Sequence, residues 1–231
     1  MSDGDRQTHK LTMGEAEIIP NSQQLIIHSI FVFYGEEASE TLSQQIAEDI
    51  SNHWNEPKGR IEIKGNWYDV RFDIQGLHEP SLLPETVWYN THERYNYFRI
   101  EAFSMNHVSS VDGLNCNTGY LKLDNLFNNS TTAAHEYGHT LGLDHPKNLD
   151  IRGKGQPGIM YPRGTICDPA FQYDSNALPL QPGGTLNPYT RKVLPEDINN
   201  LKLHRLSFGK NGFARLGDFS SIYHEKHLPL V

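Results

Sequence analysis

One short segment restricts the fold of this chain more than any other feature. Residues 135–145 read His-Glu-Tyr-Gly-His-Thr-Leu-Gly-Leu-Asp-His. If the first half of the segment is helical, His135 and His139 are one turn apart and project from the same face. Gly142 then allows a sharp exit from the helix through a positive φ, so that His145 can return to the same point. The segment therefore predicts a helix that ends in a tight turn, with three imidazoles converging.

Three neutral imidazoles form a ligand set that suits zinc. Zinc binds imidazole nitrogen at about 2.0–2.1 Å, and a site with three protein ligands keeps its fourth position for water, as catalytic zinc sites do. We predict one catalytic zinc ion bound by His135, His139 and His145. Glu136 follows the first ligand and is placed to contact that water and not the ion. It would then be the general base in the hydrolysis of a peptide bond.

The first half of the chain predicts a sheet and a long helix. Leu25 to Tyr34 is apolar almost throughout, which is typical of a buried strand. A helical stripe follows at four-residue spacing, formed by Ala38, Leu42, Ile46, Ile50 and Trp54. Alternation between Ile61 and Ile74, on both sides of Lys64-Gly65-Asn66, predicts a hairpin. Residues 75–96 read as a long loop.

The second half predicts two strands and two helices. The strands are expected at Tyr97–Phe103 and Gly119–Leu123. Asn129-Ser130-Thr131 supplies capping residues for the histidine-bearing helix. Residues 146–190 are loop-like, and a final helix is expected from Pro195 to about Leu206.

These elements predict an α+β domain with one twisted mixed sheet. Its helices are a long one on the N-terminal side, an active-site helix and a C-terminal helix. We expect an irregular N-terminal segment over 1–22, a catalytic domain over 23–208 and a tail over 209–231 that packs on the domain.

The histidine segment resembles the extended zinc signature of the metzincins, a superfamily of zinc endopeptidases. Metzincins also carry a methionine in a tight turn beneath the zinc, and Gly158-Ile159-Met160-Tyr161-Pro162 resembles that turn. Met-Tyr-Pro is similar to the turn of matrix metalloproteinases, whereas His145-Pro146 and the run before it equally resemble serralysins. The subfamily therefore stays open. The resemblance implies a metalloendopeptidase in which Met160 and Gly142 support the site without binding zinc.

The chain also departs from the metzincin pattern. The segment between His145 and Met160 is longer than expected for matrix metalloproteinases, which indicates an inserted loop over 147–157 near the cleft. In some metzincins a tyrosine two places after the methionine binds zinc. Here that position is Pro162, and Tyr161 is displaced by one, so a tyrosine ligand is not expected.

The resemblance further implies where substrate binds. In metzincins an edge strand just upstream of the zinc helix pairs with the extended substrate, and Gly119–Leu123 occupies that place. Substrate contacts are therefore expected at Gly119, Tyr120 and Leu121. Tyr161 would help to shape the pocket for the side chain after the scissile bond. The alternative is that Gly119–Leu123 is an ordinary strand.

Charge and composition limit the partners. The net charge of -8 argues against nucleic acid or an anionic membrane as the main partner, and no apolar stretch is long enough to span a bilayer. We expect a protein or peptide substrate and a monomer. The family resemblance implies secretion, but the first residues lack the pattern of a signal peptide, which leaves a cytoplasmic location or leaderless export open.

Two other features stay undecided at this stage. Cys116 and Cys167 are compatible with one disulfide or with two thiols. Asp112-Gly113 and Asp124-Asn125 could contribute to a calcium site, but no acidic run of the calcium-loop type supports one.

Two other functions compete with a peptidase. One is a non-catalytic, zinc-stabilised binding domain, against which the presence of Glu136 beside the ligands argues. The other is the same peptidase chemistry in a toxin or effector. A helix that is histidine-rich by accident is disfavoured, because the five motif positions would match by chance in about one of 10⁴ chains.

Overall fold

The computed structural model describes residues 14–127 and 130–229. In these two ranges the chain forms a mixed sheet and four α-helices. The strands are β1 (Glu15–Ile19), β2 (Gln24–Tyr34), β3 (Arg60–Ile63), β4 (Asn66–His78), β5 (Tyr95–Glu101), β6 (Ser110–Val111), β7 (Thr118–Lys122) and β8 (Phe213–Arg215). The helices are α1 (Glu40–Asn55), α2 (Pro84–Trp88), α3 (Thr132–Thr140) and α4 (Pro195–Asn200).

Strand β2 is the centre of the sheet, as its apolar sequence predicts. The strand order is β3-β4-β2-β5-β7-β6, and β1 pairs with both β2 and β8. Strand β2 runs parallel to β4 and β5 and antiparallel to β1. The predicted mixed sheet is therefore confirmed, and so is the predicted hairpin, formed by β3 and β4.

Helix α1 packs against the sheet and also contacts the histidine-bearing helix. It begins after Ser39, whose Oγ accepts a hydrogen bond from the Leu42 N–H at 3.2 Å. Ile46, Ile50 and Trp54 of the predicted stripe are buried. The indole Nε1 of Trp54 donates to the Ala134 carbonyl at 3.0 Å, which ties the end of α1 to α3. A smaller cluster includes Val32 and Tyr34, whose neighbours along β2 belong to the main core.

The structure corrects several predicted boundaries. The segment 1–22 is not irregular throughout, because β1 pairs with β2 and buries Ala16. Residues 75–96 are not one loop, since they contain the end of β4 and the short helix α2. The last helix ends at Asn200 and is followed by a 3₁₀ turn at Leu203–Arg205.

The predicted capping and tail residues have mixed outcomes. Asn129 lies outside the described residues, and its capping role stays a prediction. Within 209–229, β8 pairs with β1, and Tyr223 stacks on Tyr34 with ring centroids 5.2 Å apart. None of the helices within the described ranges is long and apolar enough to cross a membrane.

Candidate metal centre

Helix α3 carries the first two histidines of the motif. Ser130 Oγ accepts a hydrogen bond from the Thr132 N–H at 3.1 Å, where the helix begins. After the helix, Gly142 has a φ of +91°, the positive value that the sequence predicts for the exit. Its N–H donates to the His139 carbonyl at 3.0 Å. The chain then turns back so that His145 faces the helix.

The three predicted ligands come together. His145 Nε2 lies 3.1 Å from His135 Nε2 and 3.2 Å from His139 Nε2. The ligand atoms of all three residues lie within 4.8 Å of one another. A tetrahedral zinc ion with bonds of about 2.0–2.1 Å sets neighbouring nitrogens about 3.3 Å apart. The observed separations therefore match the size of such an ion.

Backbone carbonyls orient the two helical imidazoles. His135 Nδ1 lies 2.7 Å from the Ile159 carbonyl, and His139 Nδ1 lies 2.7 Å from the Leu143 carbonyl. Because a carbonyl can only accept, the proton of each ring is assigned to Nδ1. Both Nε2 atoms are then acceptors, and a single N–H of His145 can satisfy only one of them. A cation at the centre satisfies all three lone pairs, so the residues present fit a metal ion.

The site also keeps its imidazoles neutral. Burial lowers the pKa of His135 well below 6.5, and the nearby Arg191 lowers it further. Burial likewise lowers the pKa of His139 and His145. Metal ligation requires the deprotonated nitrogen, and these lowered pKa values keep the three imidazoles in that form.

Glu136 lies in the same cavity as the three histidines, with 7% of its surface exposed. Burial raises the pKa of its carboxyl group to about 8, while Arg191 and a backbone hydrogen bond from Val111 act in the opposite direction. Val111 belongs to β6. The carboxyl group is therefore held between the sheet edge and the metal centre.

A turn in the C-terminal half supports α3 from below. Met160 is buried at 3% exposure, and its Sδ lies against Gly138 on α3. Ile159 accepts the hydrogen bond of His135 through its carbonyl, and its backbone lies close enough to Asp197 to lower the pKa of that carboxyl group. Asp197 belongs to α4, so the C-terminal helix lies beside the residue whose carbonyl orients His135.

Arg191 is a site residue that the sequence pattern did not reveal. Its Nε donates to Thr131 Oγ1 at 2.9 Å, and its Nη1 donates to the Tyr161 carbonyl at 3.0 Å. The same Nη1 lies 3.0 Å from His135 Nδ1. Arg191 is 5% exposed. A lone arginine in a loop has no spacing that marks it, so no sequence signal could have identified it.

The three histidines and Glu136 line an open cavity of about 510 Å³. One wall is formed by β6 and the residues before it, and the opposite wall by Pro162, Arg163 and Gly164. A second cavity of about 640 Å³ lies elsewhere, between β2, β5 and α2. It contains none of the motif residues, and we assign the chemistry to the first cavity because the ligand atoms converge there.

The structure corrects the predicted edge strand. Strand β7 is paired on both sides, parallel to β5 and antiparallel to β6, and β6 is the outer strand. Gly119, Tyr120 and Leu121 are buried, and the backbone of Gly119 and Tyr120 is in register with β6. This part of β7 therefore cannot pair with a substrate while β6 is in place. Tyr161 is half-buried beside the cavity wall, and its contact with substrate stays a prediction.

The structure decides between the alternatives for the two cysteines and shows the partners of the two aspartates that the sequence left open. Cys116 and Cys167 are both thiols and form no disulfide. The Asp112 carboxylate lies 2.9 Å from His224 Nε2, and Asp124 pairs with Lys122. Nothing in these contacts supports calcium.

Comparison with known proteins adds little to this picture. No protein-family profile matches the chain, and no curated protein matches it. Among solved structures, the crystal structure of archaemetzincin from Methanopyrus kandleri aligns with a TM-score of 0.33 and 15% identity, over 57% of this chain and 81% of that one. At this level of similarity, function has to be inferred from the chain's own residues.

Proposed function

We propose that this protein is a zinc-dependent peptidase with Glu136 as its general base. The observation that carries the proposal is the convergence of three imidazole nitrogens, at 3.1 and 3.2 Å, beside a buried carboxyl group. The metzincin-like order of the motif residues supports peptide hydrolysis, and we extend the proposal to endopeptidase activity on that basis.

The surroundings favour a catalytic site over a structural one. A structural zinc is usually enclosed by four protein ligands, whereas a catalytic zinc has three and keeps a position for water. Among the described residues, the ligand cluster contains three histidines only. His145 is exposed, so the site opens to solvent on that side.

Each residue of the centre has a separate task. When bound, zinc would lower the pKa of a water molecule and polarise the substrate carbonyl. In its ionised form, which a bound cation beside it would favour against the effect of burial, Glu136 takes the proton of the attacking water on a carboxylate oxygen and returns it to the leaving amine. The Ile159 and Leu143 carbonyls hold the imidazoles of His135 and His139 in the ligating orientation.

We place the substrate backbone along β6. Strand β6 is the outer strand of the sheet and lines the cavity through Ser110 and Val111. An extended peptide added there would lie antiparallel or parallel to the sheet edge and pass over the metal centre. This replaces β7 as the proposed binding strand.

Substitution of Glu136 by Gln tests the proposal. The amide keeps the shape of the side chain but cannot accept a proton, so cleavage of labelled unfolded casein should fall by about 10²–10⁴-fold. Zinc content, measured by elemental analysis after dialysis, should stay at one ion per chain. Glu48→Gln, an exposed change on α1, is the matched control.

The outcomes separate the candidate functions. Full activity in Glu136→Gln would exclude the proposed base. Bound zinc in the wild-type chain without any chelator-sensitive cleavage would favour the non-catalytic binding domain. Wild-type protein that retains no metal would contradict both.

A further inference from the structure

The metal cavity has the opposite charge to the protein as a whole. The chain has a net charge of -8, yet Arg163 and Arg191 both line this cavity, where Glu136 is the one acidic residue of the lining. The two guanidinium groups are near enough for Arg163 to lower the pKa of Arg191. Gathering two cations in a mostly acidic molecule costs electrostatic energy, which a bound anion would offset.

Arg191 lines the cavity and has one donor nitrogen without a protein acceptor among the described residues. Its Nε and Nη1 are occupied by Thr131 Oγ1, the Pro188 carbonyl and the Tyr161 carbonyl. No acceptor for Nη2 occurs among the described residues. Nη2 is not sealed from solvent either, because Thr165 Oγ1 is the one fully buried side-chain polar atom without a partner in residues 14–127 and 130–229. The guanidinium is thus fixed through Nε and Nη1, while Nη2 keeps some accessible surface.

Arg163 supplies a second guanidinium from the wall that residues 162–164 form. It follows Pro162 and is exposed, and Nη2 makes a single long hydrogen bond of 3.3 Å to Asn125 Oδ1. Most of its donors remain available. A planar guanidinium presents paired N–H groups that match the two oxygens of a carboxylate.

The position of Arg191 relates this charge to the reacting bond. Its Nη1 lies 3.0 Å from His135 Nδ1, while the Nε2 of the same ring faces the metal centre. One imidazole ring therefore separates the arginine from the ion. A group bound by Arg191 would belong to the residue adjacent to the scissile bond.

We propose that the cavity binds a substrate carboxylate next to the scissile peptide, through Arg191 and Arg163. The inference rests on the proposed peptidase function, because that function makes a peptide the ligand that carries the carboxylate. The carboxylate has two sources, an acidic side chain within the substrate or the C-terminal carboxylate of the substrate. These are distinguished by the experiment.

Binding of peptide pools to the full chain tests the inference without turnover. The zinc-loaded Glu136→Gln protein is titrated, by fluorescence anisotropy, with degenerate labelled pools that share a fixed central residue. One pool has central Glu and an amidated end, the second has central Gln and an amidated end, and the third has central Gln and a free C-terminal carboxylate. The first or third pool should bind about 10-fold tighter than the second, as expected for a charge-assisted hydrogen bond.

Arginine variants identify the residues. In the same background, Arg163→Gln should reduce that preference, and Arg163→Glu should shift it towards a pool with central Lys. Arg205→Gln, an exposed change outside the cavity, should leave the preference unchanged. Arg163 is preferred over Arg191 for these variants because its exposed side chain makes few contacts, so folding is preserved.

Two results overturn the inference. One is equal or undetectable binding of all three pools, and the other is a carboxylate preference that persists unchanged in Arg163→Gln. Binding is measured in a variant that does not cleave, so it does not depend on peptidase activity. A failure of the peptidase proposal alone would therefore be seen as wild-type protein that prefers the carboxylate pools but hydrolyses none of them.

Discussion

Gly138 of α3 lies directly against Met160. A Cβ built on Gly138 would overlap Met160 Sδ and would approach Trp54 Cζ2 at 3.3 Å. Gly138 stands between the two helical ligands, His135 and His139. The absence of a side chain at position 138 therefore lets the supporting turn pack close beneath the metal centre.

Gly138→Ala should destabilise the protein although alanine is the better helix former. Overpacking against Met160 should cost about 1–3 kcal/mol of unfolding free energy against roughly 1 kcal/mol of helix propensity gained, so the net loss should reach up to about 2 kcal/mol. Urea unfolding in the presence of chelator measures the change. Met160→Ala should relieve the overlap, so the double variant should cost less than the sum of the single variants. Strict additivity would contradict direct packing.

Gly142→Ala should cost more than the same change at Gly153. Both glycines have positive φ, +91° and +76°, but a Cβ at Gly142 would collide with Asn115 Oδ1 whereas a Cβ at Gly153 meets nothing within 4 Å. The left-handed backbone lowers the free energy of unfolding of each alanine variant by about 1–2 kcal/mol. The excess loss of unfolding free energy at Gly142 measures the collision, and equal losses would show that Asn115 yields freely.

Zinc should stabilise the folded protein through all three histidines. Binding raises the free energy of unfolding by about 2.7 kcal/mol when free zinc is 100 times its Kd, which is seen as a rise in Tm. His145→Ala should lose most of this rise and retain no zinc after dialysis, because two imidazoles remain. His204→Ala, an exposed histidine outside the cavity, should behave as the wild type. A full Tm rise in His145→Ala would exclude it as a ligand.

Asp197 should make stability depend on pH between about 4 and 6. Burial raises the pKa of its carboxyl group to about 6, from 3.8. In this interval the unfolded chain has released the proton and the folded chain has kept it, so the free energy of unfolding falls as pH rises. The loss of unfolding free energy is complete above the pKa that Asp197 has in the folded chain, and it is absent below the pKa that Asp197 has in the unfolded chain. It amounts to about 2–3 kcal/mol at 1.36 kcal/mol per unit.

Asp197→Asn isolates this dependence. Asparagine does not titrate, so the difference in unfolding free energy between wild type and variant should change by that amount across the interval. Chelator in both samples removes the contribution of zinc. A difference that is flat from pH 4 to 6.5 would show that Asp197 has an ordinary pKa.

The sequence predicted the parts of the site that are local in the chain. His135, Glu136 and His139 are related by helix geometry alone, and His145 requires only one turn at Gly142. Arg191 is 56 residues from His135 and arrives through a loop whose path depends on packing, which no periodicity encodes. A similar limit explains the edge strand, because β6 has two paired residues and is too short to show alternation.

The central strand and the long helix were predictable for a different reason. Both elements are buried, and burial requires apolar side chains. These appear in the sequence as a nearly continuous run in β2 and as a stripe at four-residue spacing that ends at Trp54. The strand at Glu15–Ile19 was missed because only Ala16 of its five residues is buried, so its place in the sheet depends on hydrogen bonds to β2 and β8.

The hydrogen bond from Trp54 to Ala134 gives the protein an internal optical reporter. Trp54 has no exposed surface and is hydrogen-bonded to Ala134, the residue before His135. Trp67 and Trp88 are each 49% exposed. An aqueous quencher reaches the two exposed indoles first, which leaves an emission dominated by the buried one. Changes in that emission would follow the helix that carries the metal ligands, without a dye or an added label.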